Sequence, residues 1–268
     1  MSVVLFIDSG VGGLPYCRSF RELQAFEEVV YVADRAHFPY GSKSKEELID
    51  ILVSLTEQLL GCFDVKLIVI ACNTASVSTL EALRSRFKLP FVGTVPAVKP
   101  AALASRKRRI GVLATERTVN DPYIQVLAKR FAPDCELIPM AAPELVDFVE
   151  HSYVHSDHLE RLTIARPYIE YFKAQDVDAL VLGCTHFLFL AEEFSIAAGE
   201  DIKVVDSCGG VARRAAQVLE EQGIKASATD KKPTGLLLLN SDQAPAASWQ
   251  LFASLFDLEF RTMREGSL

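Results

Sequence analysis

Short, wholly apolar runs alternate with amphipathic stretches along the chain. The runs at 3–7, 29–33, 67–71, 91–94, 110–114, 137–140, 179–183, 203–206 and 235–239 are strand-sized, and the pattern predicts a β-strand at each. Helical periodicity predicts helices over 14–26, 44–61, 75–87, 120–131, 143–151, 156–174, 210–222 and 246–254. The 44–61 segment has the clearest start signal. Ser44 stands as N-cap, Glu46 and Glu47 fill the first turn, and Leu48, Ile49, Leu52, Leu55 and Leu59 supply the apolar positions. Strands that lack polar alternation and are separated by helices predict parallel sheets covered on both faces, an α/β fold. About ten strands exceed one simple doubly wound unit, so two α/β domains are expected.

Two short internal echoes fit that expectation. Leu67-Ile68-Val69-Ile70-Ala71-Cys72-Asn73-Thr74 resembles Leu180-Val181-Leu182-Gly183-Cys184-Thr185-His186, and the two cysteines lie 112 positions apart. Ile7-Asp8-Ser9-Gly10 resembles Val205-Asp206-Ser207-Cys208-Gly209-Gly210. Two similar domains would produce such pairs, and so would chance likeness between strand ends.

Composition narrows the function classes. Of 268 residues, 50% are hydrophobic and 24% charged, an ordinary globular balance. The formal net charge of −7 argues against a broad electrostatic grip on nucleic acid or an anionic membrane. The one basic cluster, Arg106 to Arg109, precedes an apolar run and reads as a solvated turn. Val3 to Ile7 is too short for a signal peptide core and lacks a basic start, and no later apolar run approaches bilayer length. The expected compartment is the cytoplasm, where thiols stay reduced. Six cysteines there point to chemistry or packing rather than to disulfides.

Cys72 and Cys184 are the sharpest chemical signal. Each is the first non-apolar residue after a strand and precedes a helix. Ligands of open parallel sheets sit beyond the carboxyl ends of strands. A helix start favours a thiolate through its free N–H groups and dipole. An unperturbed cysteine is only roughly 3% ionised at neutral pH, so one acting as a base needs such a position. The alternative is that each is a small buried hydrophobe. His186 would tune Cys184 as a charged or hydrogen-bonding neighbour, or serve as a structural histidine. Asp8, before the Gly10-Val11-Gly12-Gly13 turn, is a candidate for binding an ammonium group or assisting a thiol; an N-cap of the next helix competes. That turn matches neither a dinucleotide fingerprint nor a phosphate loop. Pro39-Tyr40-Gly41-Ser42 offers a phenol, a hydroxyl and backbone N–H groups. Cys17, Cys62 and Cys135 read as packing, and Cys208 stays open. His151, His155 and His158 share helical spacing, but a solvated helix start explains them better than a metal, and no metal site is expected.

In combination these motifs resemble the glutamate racemases of the aspartate/glutamate racemase superfamily. The resemblance rests on Asp8-Ser9-Gly10-Val11-Gly12-Gly13-Leu14, Asp34 with Pro39-Tyr40-Gly41-Ser42, Ala71-Cys72-Asn73-Thr74-Ala75-Ser76, residues 93–100, Leu182-Gly183-Cys184-Thr185-His186-Phe187, and Val205-Asp206-Ser207. It implies two similar α/β domains, 1–96 with 206–268 and 97–205, around a cleft holding the active site. It implies Cys72 and Cys184 as the acid/base pair, with Asp8 and His186 assisting. Cys72 would deprotonate D-glutamate and Cys184 L-glutamate. Asp8, Ser9, Tyr40, Gly41, Ser42, Asn73, Thr74, Thr115, Thr118, Thr185 and His186 would bind glutamate, with Glu150 near the second thiol. No cofactor is implied, a homodimer is the assembly kept in view, and the role would be supply of D-glutamate for peptidoglycan. One departure stands out: the family's Thr-x-Gly-Thr loop is here Thr115-Glu116-Arg117-Thr118, which puts the loop's backbone shape in question. Some relatives carry a long N-terminal extension linked to activation by a peptidoglycan precursor. Only seven residues precede Asp8 here, so that activation is not expected.

Racemisation must take a proton from one face of the α-carbon and return one to the other. Two groups on opposite faces do this directly, one as thiolate and one as thiol, and their roles exchange with direction. Acid–base action alone supplies about 10²–10⁴-fold, so hydrogen bonds from Ser9, Asn73, Thr74 and Thr185 and exclusion of water must help the carbanion. The rival readings are a racemase of aspartate or a related acid, a non-catalytic binding protein on this fold, and a pyridoxal phosphate racemase. No convincing Schiff-base lysine site supports the last.

Overall fold

The apolar runs become the inner strands of two parallel sheets. The structure is a computed structural model that describes residues 2–228, 233, 235–241 and 246–263. In chain order the elements are β1 (Val3–Asp8), α1 (Leu14–Leu23), β2 (Glu28–Ala33), α2 (Lys45–Cys62), β3 (Val65–Ile70), α3 (Asn73–Arg86) and β4 (Phe91–Gly93). Then come α4 (Val98–Ala104), β5 (Arg109–Ala114), α5 (Glu116–Asn120), α6 (Pro122–Phe131), β6 (Glu136–Ala141), α7 (Pro143–His151), α8 (His158–Ala174), β7 (Ala179–Leu182), α9 (Ala191–Ala198) and β8 (Lys203–Val205). The last are α10 (Cys208–Glu221), β9 (Gly235–Leu239), α11 (Ala246–Leu255) and β10 (Leu258–Thr262). The chain divides into two units, Met1–Thr94 with Cys208–Leu268, and Val95–Ser207.

The first unit holds a six-stranded sheet of order β10-β9-β2-β1-β3-β4, and every pairing is parallel. β1 and β3 are buried along their whole length. Leu5, Ile7, Val32, Ile68 and Ile70 pack with Leu48, Leu52 and Leu59 of α2. Full burial of each such side chain stabilises the fold by about 1.5–3 kcal/mol. The second unit holds a four-stranded parallel sheet of order β6-β5-β7-β8. Ile110, Val112 and Val181 pack there with Val98 and Ala101 of α4 and Leu127 of α6.

Both sheets are wound alike. From its first strand the chain moves to a neighbour on one side, then crosses to the other side for its third and fourth strands. The switch points, where ligands bind in such sheets, fall between β1 and β3 and between β5 and β7. Cys72 and Cys184 each follow the third strand of their sheet, so the first internal echo has a topological basis. The second does not: Asp8 ends a first strand, whereas Asp206 follows β8, a fourth strand.

Local signals explain most boundaries. Ser44 and Glu47 form a capping box at the start of α2, and Asp157 and Glu160 form another at α8. The helix expected over 120–131 is α6, Pro122–Phe131, and the short α5 ahead of it is a separate helix that the pattern did not predict. Asp121 breaks the run, and its side chain caps α6 by accepting from Tyr123 N, with Pro122 at the first helical position. The basic turn before β5 is neutralised by acids: Lys107 pairs with Asp176, Arg108 with Asp134 and Arg109 with Glu136. Among the described residues no helix is long and apolar enough to cross a membrane.

Candidate active site

In the first unit the sequence-predicted residues gather at the β1/β3 switch point. Ile7 pairs with Ile70, and Ala71 N donates to Ile7 O at 2.8 Å, so the ladder sets Ser9 opposite Cys72. Cys72 is the N-cap residue of α3 and is half-buried; Asn73 is buried and Thr74 half-buried. Asp8 is fully buried, and its Oδ1 accepts from Ser9 N at 2.6 Å. It does not cap α1, whose N-cap is Gly13 without a side-chain hydrogen bond. The glycine turn is held by Tyr31, whose hydroxyl accepts from Gly13 N at 3.0 Å and donates to Gly10 O at 2.7 Å. Gly13 is required by close approach: a Cβ there would lie 2.7 Å from Ala71 Cβ, next to Cys72.

The Tyr40–Ser42 turn belongs to the same switch-point region. Tyr40 is buried, its N–H donates to Ser9 Oγ at 3.5 Å, and its hydroxyl donates to Asp34 Oδ2 at 2.7 Å. Burial pushes the Tyr40 phenol well above its ordinary range, and the charges of Asp34, Cys72 and Asp8 add to the effect. It therefore stays a donor at any working pH. Gly41 borders open space, since a Cβ there would meet nothing within 4 Å, and Ser42 is exposed.

In the second unit Leu113 pairs with Leu182, and Gly183 N donates to Leu113 O at 2.7 Å. The ladder sets Thr115 opposite Cys184, as it sets Ser9 opposite Cys72. Cys184, Thr185 and His186 are all buried. Cys184 precedes a 3₁₀ helix, Thr185–Leu190, rather than an α-helix. Its Sγ lies 3.7 Å from His186 Nδ1, and His186 Nε2 lies 2.6 Å from Glu150 Oε1. Burial lowers the affinity of His186 for its proton, but the hydrogen bonds and charges of Cys184 and Glu150 outweigh it and hold the imidazole well above its usual pKa. His186 thus sits between a sulfur and a buried carboxylate, within hydrogen-bond reach of both.

The departure at Arg117 has a simple structural form. Thr115 caps α5, its hydroxyl accepting from Thr118 N at 3.3 Å and lying 3.0 Å from Thr118 Oγ1. Arg117 is in the helix and is not among the described non-glycine residues with positive φ, so no glycine is needed there. Of the other cysteines, Cys17 is buried, where burial pushes its thiol up to about 12, and Cys62 is exposed rather than packed. Cys135 and Cys208 are half-buried. His151, His155 and His158 are exposed, and no cluster of three or more metal-ligating side chains occurs among the described residues. Asn240, which hydrogen-bonds Asp34 at 2.7 Å, was not predicted from sequence.

Comparison with known proteins follows the same lines. The sequence profile described as Asp/Glu/Hydantoin racemase matches residues 15–215. The glutamate racemase of Pectobacterium carotovorum is 40% identical over 232 residues, covering 85% of this chain and 80% of that one. The glutamate racemase of Treponema pallidum is 38% identical over 218 residues, 81% of each chain. Among solved structures, Escherichia coli glutamate racemase in complex with L-glutamate and the activator UDP-MurNAc-Ala is similar with a TM-score of 0.85. It shares 32% identity over 98% of both chains.

Proposed function

We propose that this chain, which belongs to the Asp/Glu/Hydantoin racemase family, interconverts L- and D-glutamate without a cofactor, using Cys72 and Cys184 as its two acid/base groups. The observation that carries the proposal is the repeated strand-end arrangement. In each unit a cysteine follows the third strand, opposite a hydroxyl residue on the first. In this reading the two units are the two catalytic domains, each supplying one thiol to one face of the α-carbon. One sulfur takes the proton while the other gives one back, and the roles reverse with the enantiomer. Asp8 assists Cys72 and draws the substrate ammonium. His186, held charged by Glu150, stabilises the thiolate that Cys184 becomes when it has given up its proton. Ser9, Asn73, Thr74, Thr185, Thr115, Thr118 and the Tyr40–Ser42 turn hold the carboxylates, where donors fixed in a buried site lower the cost of the carbanion. The reading places the enzyme in the cytoplasm, supplying D-glutamate for peptidoglycan, with a homodimer as the assembly kept in view.

The test is incubation of the purified protein with L-glutamate in D₂O, with no added cofactor, followed by circular dichroism and α-deuterium incorporation. Loss of optical activity together with α-exchange is expected. Exchange on aspartate with none on glutamate would replace the substrate. Cys72→Ala and Cys184→Ala should each abolish racemisation, and full activity in either would sink the two-thiol mechanism.

A further inference from the structure

Asn240 lies beyond residues 15–215, which the family profile matches, yet it is bound to the substrate turn of the first unit. β9 pairs with β2, Leu239 opposite Ala33. Asn240 extends that ladder by one step: its N–H donates to Ala33 O at 3.0 Å, and its carbonyl accepts from Ala36 N at 3.0 Å. Its side-chain Nδ2 donates to Asp34 Oδ1 at 2.7 Å. Asp34 is fully buried, and its other oxygen accepts from the Tyr40 hydroxyl at 2.7 Å. His37 Nδ1 lies 2.9 Å from both carboxylate oxygens, and Asp34 N donates to Asp8 O at 2.8 Å.

A carboxylate with no exposure must be met by donors, and charge-assisted hydrogen bonds are the strong ones. Asp34 has three side-chain neighbours that supply them. Tyr40 and His37 belong to the turn that Asp34 holds. Among the described residues Asn240 is the one such donor from outside it, one residue past β9, which the sheet fixes. It ties the Asp34 carboxylate to the end of β9, as the Asp34 N–H ties its backbone to β1.

We infer that Asn240 is a positioning residue for glutamate binding, acting through Asp34 to hold the Tyr40–Ser42 turn in its binding shape. The inference rests on the proposed racemase activity and on that turn as part of its substrate site. Asn240 touches neither thiol, so its loss should weaken binding more than proton transfer.

The experiment measures KM and kcat for both enantiomers, with the melting temperature, in the wild type and in Asn240→Asp and Asn240→Ala. Asn240→Asp keeps the volume but sets an acceptor against Asp34 Oδ1. Both variants should raise KM about 10- to 100-fold, the worth of a hydrogen bond to a charged group, with kcat changed less than about threefold. A lower melting temperature with unchanged KM would make Asn240 a structural staple and overturn the inference. So would a fall in kcat at constant KM, or failure of both variants to fold. A wild type inactive on glutamate would instead refute the proposed function, and the inference with it; that outcome shows in the wild type alone.

Discussion

The two units share a winding order but surround their cysteines differently. Each cysteine follows the third strand, opposite Ser9 in one unit and Thr115 in the other. One residue earlier the likeness ends. The first strand closes on Asp8 in the first unit and on Ala114 in the second. The same holds one strand further out. Asp34 N donates to Asp8 O, and Ala142 N donates to Ala114 O, so buried aspartates in one unit stand where the other has alanines. The second unit brings its carboxylate from elsewhere: Glu150, on α7, reaches the sulfur through His186. A carboxylate on the neighbouring strand is held by the sheet itself. A histidine relay depends on two side chains staying paired in a dry site, and it carries a proton that responds to pH. The winding order therefore sets where each cysteine stands, while the charged groups near it come from different elements in the two units.

The largest test of this contrast is His186→Asn. Losing a group that acts on the proton transfer should lower kcat/KM by about 10²–10⁴-fold. The loss should be equal for the two enantiomers, whose equilibrium constant is unity, and polarimetry in both directions reads it. His186 also gives the relay a stability signature. Its proton is held more tightly folded than unfolded, so its stabilisation is complete below the ordinary imidazole pKa of about 6.5 and fades as pH rises through its raised value. The gap in urea stability between wild type and His186→Asn should narrow as pH climbs above about 6.5.

Glu150→Gln comes next. It keeps an acceptor near His186 but removes the charge, and kcat/KM should fall about 10- to 100-fold, the roughly 1.5–3 kcal/mol of a charged hydrogen bond. Gly13→Ala and Gly183→Ala probe the strand ends. A Cβ at 13 would lie 2.7 Å from Ala71 Cβ, whereas one at 183 meets Ala114 Cβ at 3.0 Å. Overpacking costs about 1–3 kcal/mol, with Gly13→Ala expected at the upper end and Gly183→Ala at the lower, read from urea midpoints. The smallest effect is expected of Arg117→Gly. It restores the family's glycine to a helical position that does not need one. KM should stay within about twofold, while local helix stability drops by up to about 1 kcal/mol.

The sequence showed both sheets because inner parallel strands must be apolar throughout, and it showed both cysteines because they are the first break in such runs. What it hid follows physical reasons too. Helix α4, Val-Lys-Pro-Ala-Ala-Leu-Ala, is short and has little polar face to reveal a period. Helix α9, Ala-Glu-Glu-Phe-Ser-Ile-Ala-Ala, is likewise too short for a period to show. Strand β10 is an edge strand in which Leu258 and Phe260 alternate with Glu259 and Arg261, a pattern too short to separate from a loop. Asp8 was ambiguous because an aspartate before a glycine turn reads equally as a helix cap; only the start of α1 at Leu14 removes that reading. Glu150 was placed near Cys184 by family likeness alone, since nothing in its own neighbourhood marks it. Asn240 was silent because its partner, Asp34, lies 206 positions away, a distance no local pattern spans.

The first unit is made of two chain segments separated by the whole of the second. During synthesis its strand β2, Glu-Val-Val-Tyr-Val-Ala, emerges early but finds β9 only after the other unit has left the ribosome. Until then β2 is an unpaired, largely apolar edge, the kind of surface that recruits other strands. A polypeptide halted before residue 235 would keep that edge open and would lack Asn240, the hydrogen-bond donor to Asp34 beside the tyrosine turn. Elongation itself thus delays competence: a nascent chain can have both thiols in place and still wait for its closing strand.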